Sequence, residues 1–213
     1  MYAIAHAATT LAIRRRVPEA PLWAVLVGVQ AVELVWIALS LAGIERASIH
    51  DGQIALDFLP YSHSVTSGLV VAALAYAATI GTGRPRRVAW ALAIAVFSHI
   101  VLDVVHHQRD IRLVPAAWGP RLGTGLLQVP WLDLMIELAY CLACAWWARG
   151  GPALYAGMVI LNLANLPTML QLPAVVAPVA AHPALLPILI LAQIVITWLF
   201  IARFGPRGQR PAR

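Results

Sequence analysis

The sequence predicts an all-α fold, a polytopic membrane helical bundle of about six full spans plus a short N-terminal partial span. Three observations carry this. Of the 213 residues, 61% are hydrophobic and only 11% charged, with a mean hydropathy of +0.79, outside the range of ordinary soluble domains. The apolar residues gather in runs long enough to be helical spans. All fifteen basic residues are arginines, and they sit in short stretches between the runs. The net charge of +6 and pI near 10.1 therefore point to membrane topology and lipid neighbours, not to nucleic acid.

Residues 1–13 form an apolar run holding His6 and ending at Arg14, Arg15 and Arg16. Thirteen helical residues cover only ~20 Å of a ~30 Å hydrocarbon core, so this is a partial or tilted span. It precedes its positive cluster, the reverse of the order in a cleavable signal peptide, and none is expected. Pro18 and Pro21 separate it from a full span at 22–43, with Gln30 and Glu33 near its middle. Residues 44–61 are a polar connection carrying Glu45, Arg46, His50, Asp51 and Asp57 and ending at Pro60, which suits a helix start. The span at 62–81 opens with Ser62-His63-Ser64, and the span at 88–105 holds His99 and Asp103.

Residues 106–125 are too polar and too rich in Pro and Gly to span and read as an ordered or re-entrant loop. The fifth segment, 125–147, places Asp133 and Glu137 four apart and Tyr140 three further on. The next, 152–170, carries Asn162 and Asn165, amides of the kind that bridge membrane helices. A Pro-rich connection at 172–183, with His182 given no role, leads to a last span at 184–202 and a basic tail. The whole of 1–213 reads as a single integral membrane domain. Cys141 and Cys144 stand C-x2-C inside an apolar segment with no further ligand nearby, which predicts buried packing rather than redox or metal chemistry.

Eleven arginines (14–16, 84, 86, 87, 149, 203, 207, 210 and 213) fall on one side of these spans, and Arg46, Arg109, Arg112 and Arg121 fall on the other. The eleven-residue side, with the C-terminus, is predicted to be cytoplasmic. On that orientation His99 lies ~18 Å above Arg87, Asp103 ~6 Å higher, and Glu33 and Glu137 near mid-membrane. His6, Glu33, His63, His99, Asp103 and Glu137 can then converge in the outer half.

The densest chemistry lies in residues 97–107, where His99, Asp103, His106 and His107 end an apolar run. In a helix His99, Asp103 and His106 share one stripe, within roughly 40° of a common direction, and that stripe is predicted to face one ion. Ionisable groups buried in a membrane cost at least ~2.5 kcal/mol each unless paired or wetted, so their presence calls for a function. Histidine nitrogen with carboxylate oxygen is a donor set for a catalytic divalent ion, zinc or manganese. His63, His99 and Asp103 are assigned as ligands, with His6 as a fourth ligand or partner, and Glu33 or Glu137 as the base. Around them Ser62, Ser64, His106, His107, Arg109, Asp110 and Arg112 are candidates to support the ligands or contact substrate. Other roles stay open: His6 near an interface, Glu33 paired with Gln30 or an arginine, and Asp133 and Glu137 tied into a network with Tyr140. His50 and Asp51 read as solvated loop residues.

His6, the Ser62-His63-Ser64 opening and Ser98-His99-Ile100-Val101-Leu102-Asp103 resemble the membrane-bound metal-dependent hydrolase-like family. There an early histidine, a Thr-His-Ser motif and a Ser-His-x-x-x-Asp motif recur in this order. Pro60 to Ser64, His107 to Asp110 and the turn at Gly123 to Gly125 are similar to a bacterial branch of it. The resemblance implies a multi-pass protein of the bacterial plasma membrane with a divalent metal and hydrolytic chemistry on a lipid-like ester or phosphoester. The chain departs from the pattern in lacking an Asp-x-Asp-His element and in having Ser62 for Thr; either Glu33 supplies the missing carboxylate or the metal is lost. The competing reading is a small transporter or permease moving a cation, proton or small solute. It calls for polar groups reaching the cytoplasmic face, where the spans are almost wholly apolar. A non-catalytic scaffold is a third reading.

Overall fold

In the computed structural model, which describes residues 1–50, 53–115 and 119–206, the chain is mostly helical. Asp51, Arg207, Arg210 and Arg213 lie outside the described residues, as do the side chains of His50 and Asp57.

The short first helix, α1 (Ala3–Arg16), is the centre of the bundle rather than its margin: every residue from Ala3 to Leu11 is buried. It packs against α2 (Leu22–Val29), α5 (Arg86–His106), α6 (Pro130–Trp147) and α10 (Leu185–Phe204). Its small residues, Ala3, Ala5, Ala7, Ala8, Thr9 and Thr10, let four helices approach closely. The same device joins α2 to α5, where a Cβ on Gly28 would lie 3.0 Å from that of Ala95.

Among the described residues two helices, α5 and α10, are long and apolar enough to cross a membrane, or up to four spans if each of two bent pairs counts as one. This corrects the expectation of about six continuous spans. The span expected at 22–43 is two helices, α2 and α3 (Ala31–Leu41), bent by 57°. Gln30 at the break leaves helical geometry, with φ −112° and ψ 4°, and its side-chain amide donates to the Ala3 carbonyl at 2.8 Å. The run at 152–170 becomes α7 (Pro152–Ala164) and α8 (Leu166–Met169). Past Gln171, at φ +50°, the expected Pro-rich connection is itself helical, α9 (Pro173–Ala181), bent by 66° from the pair. The helix α4 (Val65–Gly81) has 17 residues, and α6 is long enough but its apolar character is diluted by Asp133 and Glu137.

The two polar connections carry the strands. In the first, β1 (Arg46–His50) pairs antiparallel with β2 (Gln53–Phe58), and Ile49 and Ile54 pack against the core cluster that includes Trp36 and Leu59. The loop after α5 is ordered by a two-residue pair, β3 (Ile111–Arg112) with β4 (Arg121–Leu122), and a 3-10 turn at Leu126–Gln128.

Large apolar side chains line the outside of the bundle as well as its core. Leu69, Val70 and Leu74 of α4, Trp90, Ile94 and Val101 of α5, and Ile188, Ile196 and Leu199 of α10 are exposed. Meanwhile His6, His63, His99, Asp103, Asp133 and Glu137 are buried at the centre. Cys141 and Cys144 are buried free thiols.

Candidate metal centre

Four side chains from three segments meet inside the bundle. His99 and Asp103 are one turn apart on α5 and face the same way, with His99 Nε2 3.1 Å from Asp103 Oδ2. His63, at the entry to α4, brings its Nε2 to 3.5 Å from the same oxygen. Glu33, in the first turn of α3 where the helix dipole favours a carboxylate, places Oε2 3.3 Å from His63 Nε2 and 3.5 Å from His99 Nε2.

The other nitrogen of each imidazole sets its tautomer. His99 Nδ1 donates to the Val29 carbonyl at 2.8 Å. The Ser62 hydroxyl donates to Glu45 Oε2 at 2.5 Å, so its oxygen accepts from His63 Nδ1 at 2.8 Å. Both Nε2 atoms thereby turn their lone pairs inward, as outer-shell partners arrange in metal sites. His99 Nε2 and Asp103 Oδ2 have no hydrogen-bond partner in the protein, although they are buried. Four donors around a tetrahedral ion at ~2.0–2.1 Å stand ~3.3–3.4 Å apart. Four of the six pairwise separations, 3.1 to 3.5 Å, bracket that value, and the ligand atoms of Glu33, His63 and His99 lie within 4.8 Å of one another, so this group could hold a divalent ion.

Asp103 reaches in a second direction. Its Oδ1 accepts from the Met1 amine at 2.8 Å and lies 3.2 Å from His6 Nε2, which also donates to the Met1 carbonyl at 2.9 Å. The His6 ring stacks on His99 at 3.8 Å between centroids. His6, His99 and Asp103 thus form a second grouping that could hold an ion, overlapping the first.

His106 does not join either. Its Nδ1 lies 2.9 Å from Asp133 Oδ1 and 3.4 Å from Glu137 Oε1, both on α6, so the α5 stripe faces two places rather than one. Seven residues of helix separate His99 from His106 by ~10 Å along the axis, too far for one ion. Glu137, a candidate base, is likewise away from Glu33; its Oε1 accepts from the Tyr2 amide at 2.9 Å. Tyr140 bonds Thr9, at 2.7 Å, instead of the two carboxylates.

The remaining candidates divide. Ser62 supports His63 as described, and the His107 ring stacks on His63 at 5.9 Å while its Nδ1 meets Asp110 at 3.2 Å. Ser64 is the N-cap of α4, accepting from the Ser67 amide at 3.1 Å. Arg109 and Asp110 line a neighbouring recess with Arg121, and Arg112 lies in β3. Asn162 bonds the Met158 carbonyl of its own helix at 2.8 Å and also meets the Cys141 thiol of α6, so it links α7 to α6. Glu45 escaped the sequence reading. It is fully buried and accepts three bonds from Tyr61 and Ser62, and no local pattern marks it because only the β1–β2 hairpin brings it back to residue 62.

The cluster opens into a cavity of about 620 Å³. Its lining is polar at His6, Glu33, His63 and Asp103 and apolar at Val175 of α9 and at Leu186, Leu189 and Ile190 of α10.

Fold and site together define a class: a mostly helical protein, with two to four helices fit to cross a membrane, holding buried histidine and carboxylate groups able to bind a metal ion. Compared with known protein families, curated proteins and solved structures, the chain matches none.

Proposed function

We propose that this chain is a membrane-embedded hydrolase that uses a divalent ion, zinc or manganese, on a lipid-like ester or phosphoester in the outer half of a bacterial plasma membrane. One observation carries the reading: His99 Nε2 and Asp103 Oδ2 are buried without a partner 3.1 Å apart, and His63 Nε2 lies 3.5 Å from the same oxygen.

His63, His99 and Asp103 would hold the ion. When bound, such an ion acidifies water and polarises the bond to be broken. Glu33 lines the cavity, is the most exposed of the four at 18%, and is the group to accept a proton. The apolar lining from α9 and α10 suits an acyl chain whose polar end lies against the cluster. The motif resemblance and the outward apolar faces support the same reading. The six-span topology with a cytoplasmic C-terminus belongs to it, with each bent pair as one span and α4 and α6 completing the count.

A transporter would need ionisable groups continuing toward the arginine-rich end, and α5 between Arg87 and His99 has none. The test is elemental analysis of the detergent-purified protein beside His99→Ala and Asp103→Ala variants of verified helicity, followed by a hydrolysis screen on lipids and phosphoesters. Stoichiometric zinc or manganese, lost in both variants, with turnover in the wild type is expected. A wild-type protein that holds no metal after reconstitution overturns the proposal, and flux measurements in liposomes then take its place.

A further inference from the structure

The structure holds another group of convergent donors, away from the two overlapping ones, that the hydrolase reading does not use. Asp133 and Glu137 are one turn apart on α6, both fully buried, and aim at the same imidazole, His106 of α5. Their donor atoms and that of His106 all lie within 4.8 Å of one another. The partners present do not satisfy them. Asp133 Oδ1 is met by His106 Nδ1 at 2.9 Å and Glu137 Oε1 by the Tyr2 amide at 2.9 Å. The second oxygens, Asp133 Oδ2 and Glu137 Oε2, are buried with no hydrogen-bond partner in the protein.

Two buried carboxylates facing one imidazole leave acceptor oxygens without partners, and an unsatisfied polar group in a low-dielectric interior is costly. A dication neutralises both carboxylates at once and gives the free oxygens a partner. The Tyr2 ring closes one side, edge-on to His106 at 5.4 Å between centroids. His106 also lines the 620 Å³ cavity, which gives an ion a route in.

We propose that His106, Asp133 and Glu137 form a second divalent-cation site, separate from the His63–His99–Asp103–Glu33 cluster. Two carboxylate oxygens with one nitrogen make it the harder of the two donor sets, suited to manganese or magnesium. Asp103 and His106 are three residues apart on α5, about 4.5 Å along its axis, so one helix carries ligands of both sites. The inference does not depend on hydrolysis, because it is a statement about how many ions bind and where.

The experiment uses the full chain in detergent, stripped with chelator, equilibrated with manganese alone and measured by elemental analysis. Expected are two ions in the wild type, one in Asp133→Asn/Glu137→Gln and one in His99→Ala. These amide variants keep side-chain volume; should the double variant not fold, Glu137→Gln alone and the wild-type stoichiometry decide. One wild-type ion that is lost in the amide variant but kept in His99→Ala sustains this site and removes the other. One ion lost only in His99→Ala overturns the second site, as do two ions that both survive the amide substitutions, or no ion at all.

Discussion

His99 Nδ1 donates to the main-chain carbonyl of Val29 at 2.8 Å, across the contact between α5 and α2. In a continuous helix that carbonyl would be occupied by the amide four residues on. The break at Gln30 releases it, and the same break turns Glu33 toward His63 and His99. The bend that interrupts the expected second span is therefore what brings Glu33 together with His63 and His99.

Gln30→Leu tests the anchor of that bend. It removes the buried donor to the Ala3 carbonyl, which keeps its α1 helix bond, and is expected to lower stability by about 0.5–1.5 kcal/mol, the net worth of one hydrogen bond. Denaturant titration by circular dichroism reads the change. An unaltered midpoint would show that the bend stands without this bond.

Glu45→Gln acts at a distance. The hydroxyl of Ser62 loses its carboxylate acceptor, and the Nδ1 bond that orients His63 weakens. Metal affinity is expected to fall ~10- to 100-fold with helicity unchanged, by competition against a chelator. Equal affinity in the variant and the wild type would exclude Glu45 as a support for the ligand.

Ser64→Ala separates capping from metal binding in the same short segment. Loss of the Ser67 amide bond is expected to cost about 1 kcal/mol, while metal content stays at the wild-type level. Metal loss without loss of stability would reverse the assignment of Ser64.

Gly123→Ala tests the loop. Gly123 has φ +146°, and a Cβ there would run into the carbonyl of Gln108; two residues on, the Gly125 amide holds the His107 carbonyl at 2.8 Å. The variant is expected to be destabilised by more than about 1 kcal/mol and to be cleaved faster by protease within the loop. Unchanged cleavage would mean that the turn accommodates the methyl group.

Ile190→Trp narrows the apolar part of the cavity that the cluster lines. Under the hydrolase reading, turnover of long-chain substrates is expected to fall several-fold while short-chain analogues keep their rates. A uniform loss across chain lengths would place the acyl chain elsewhere.

The sequence by itself determined the helical character, because long apolar runs separated by arginines and Pro or Gly turns leave few alternatives. It also determined that His99 and Asp103 share a face, since the 3.6-residue period is a local property of the backbone. Which partners that face meets is not local. Glu33 and His63 reach it through a helix break and a helix start, Glu45 through a hairpin, and His106 turns to Asp133 and Glu137 because it lies further along the helix, where α6 offers its carboxylates. The break at Gln30 was equally invisible: an uninterrupted apolar run reads as one span, and only the packing of α1 against it supplies the carbonyl that holds Gln30 out of the helix. Tertiary structure decided these points because a hydrogen-bond acceptor on another segment leaves no trace in the periodicity of its own.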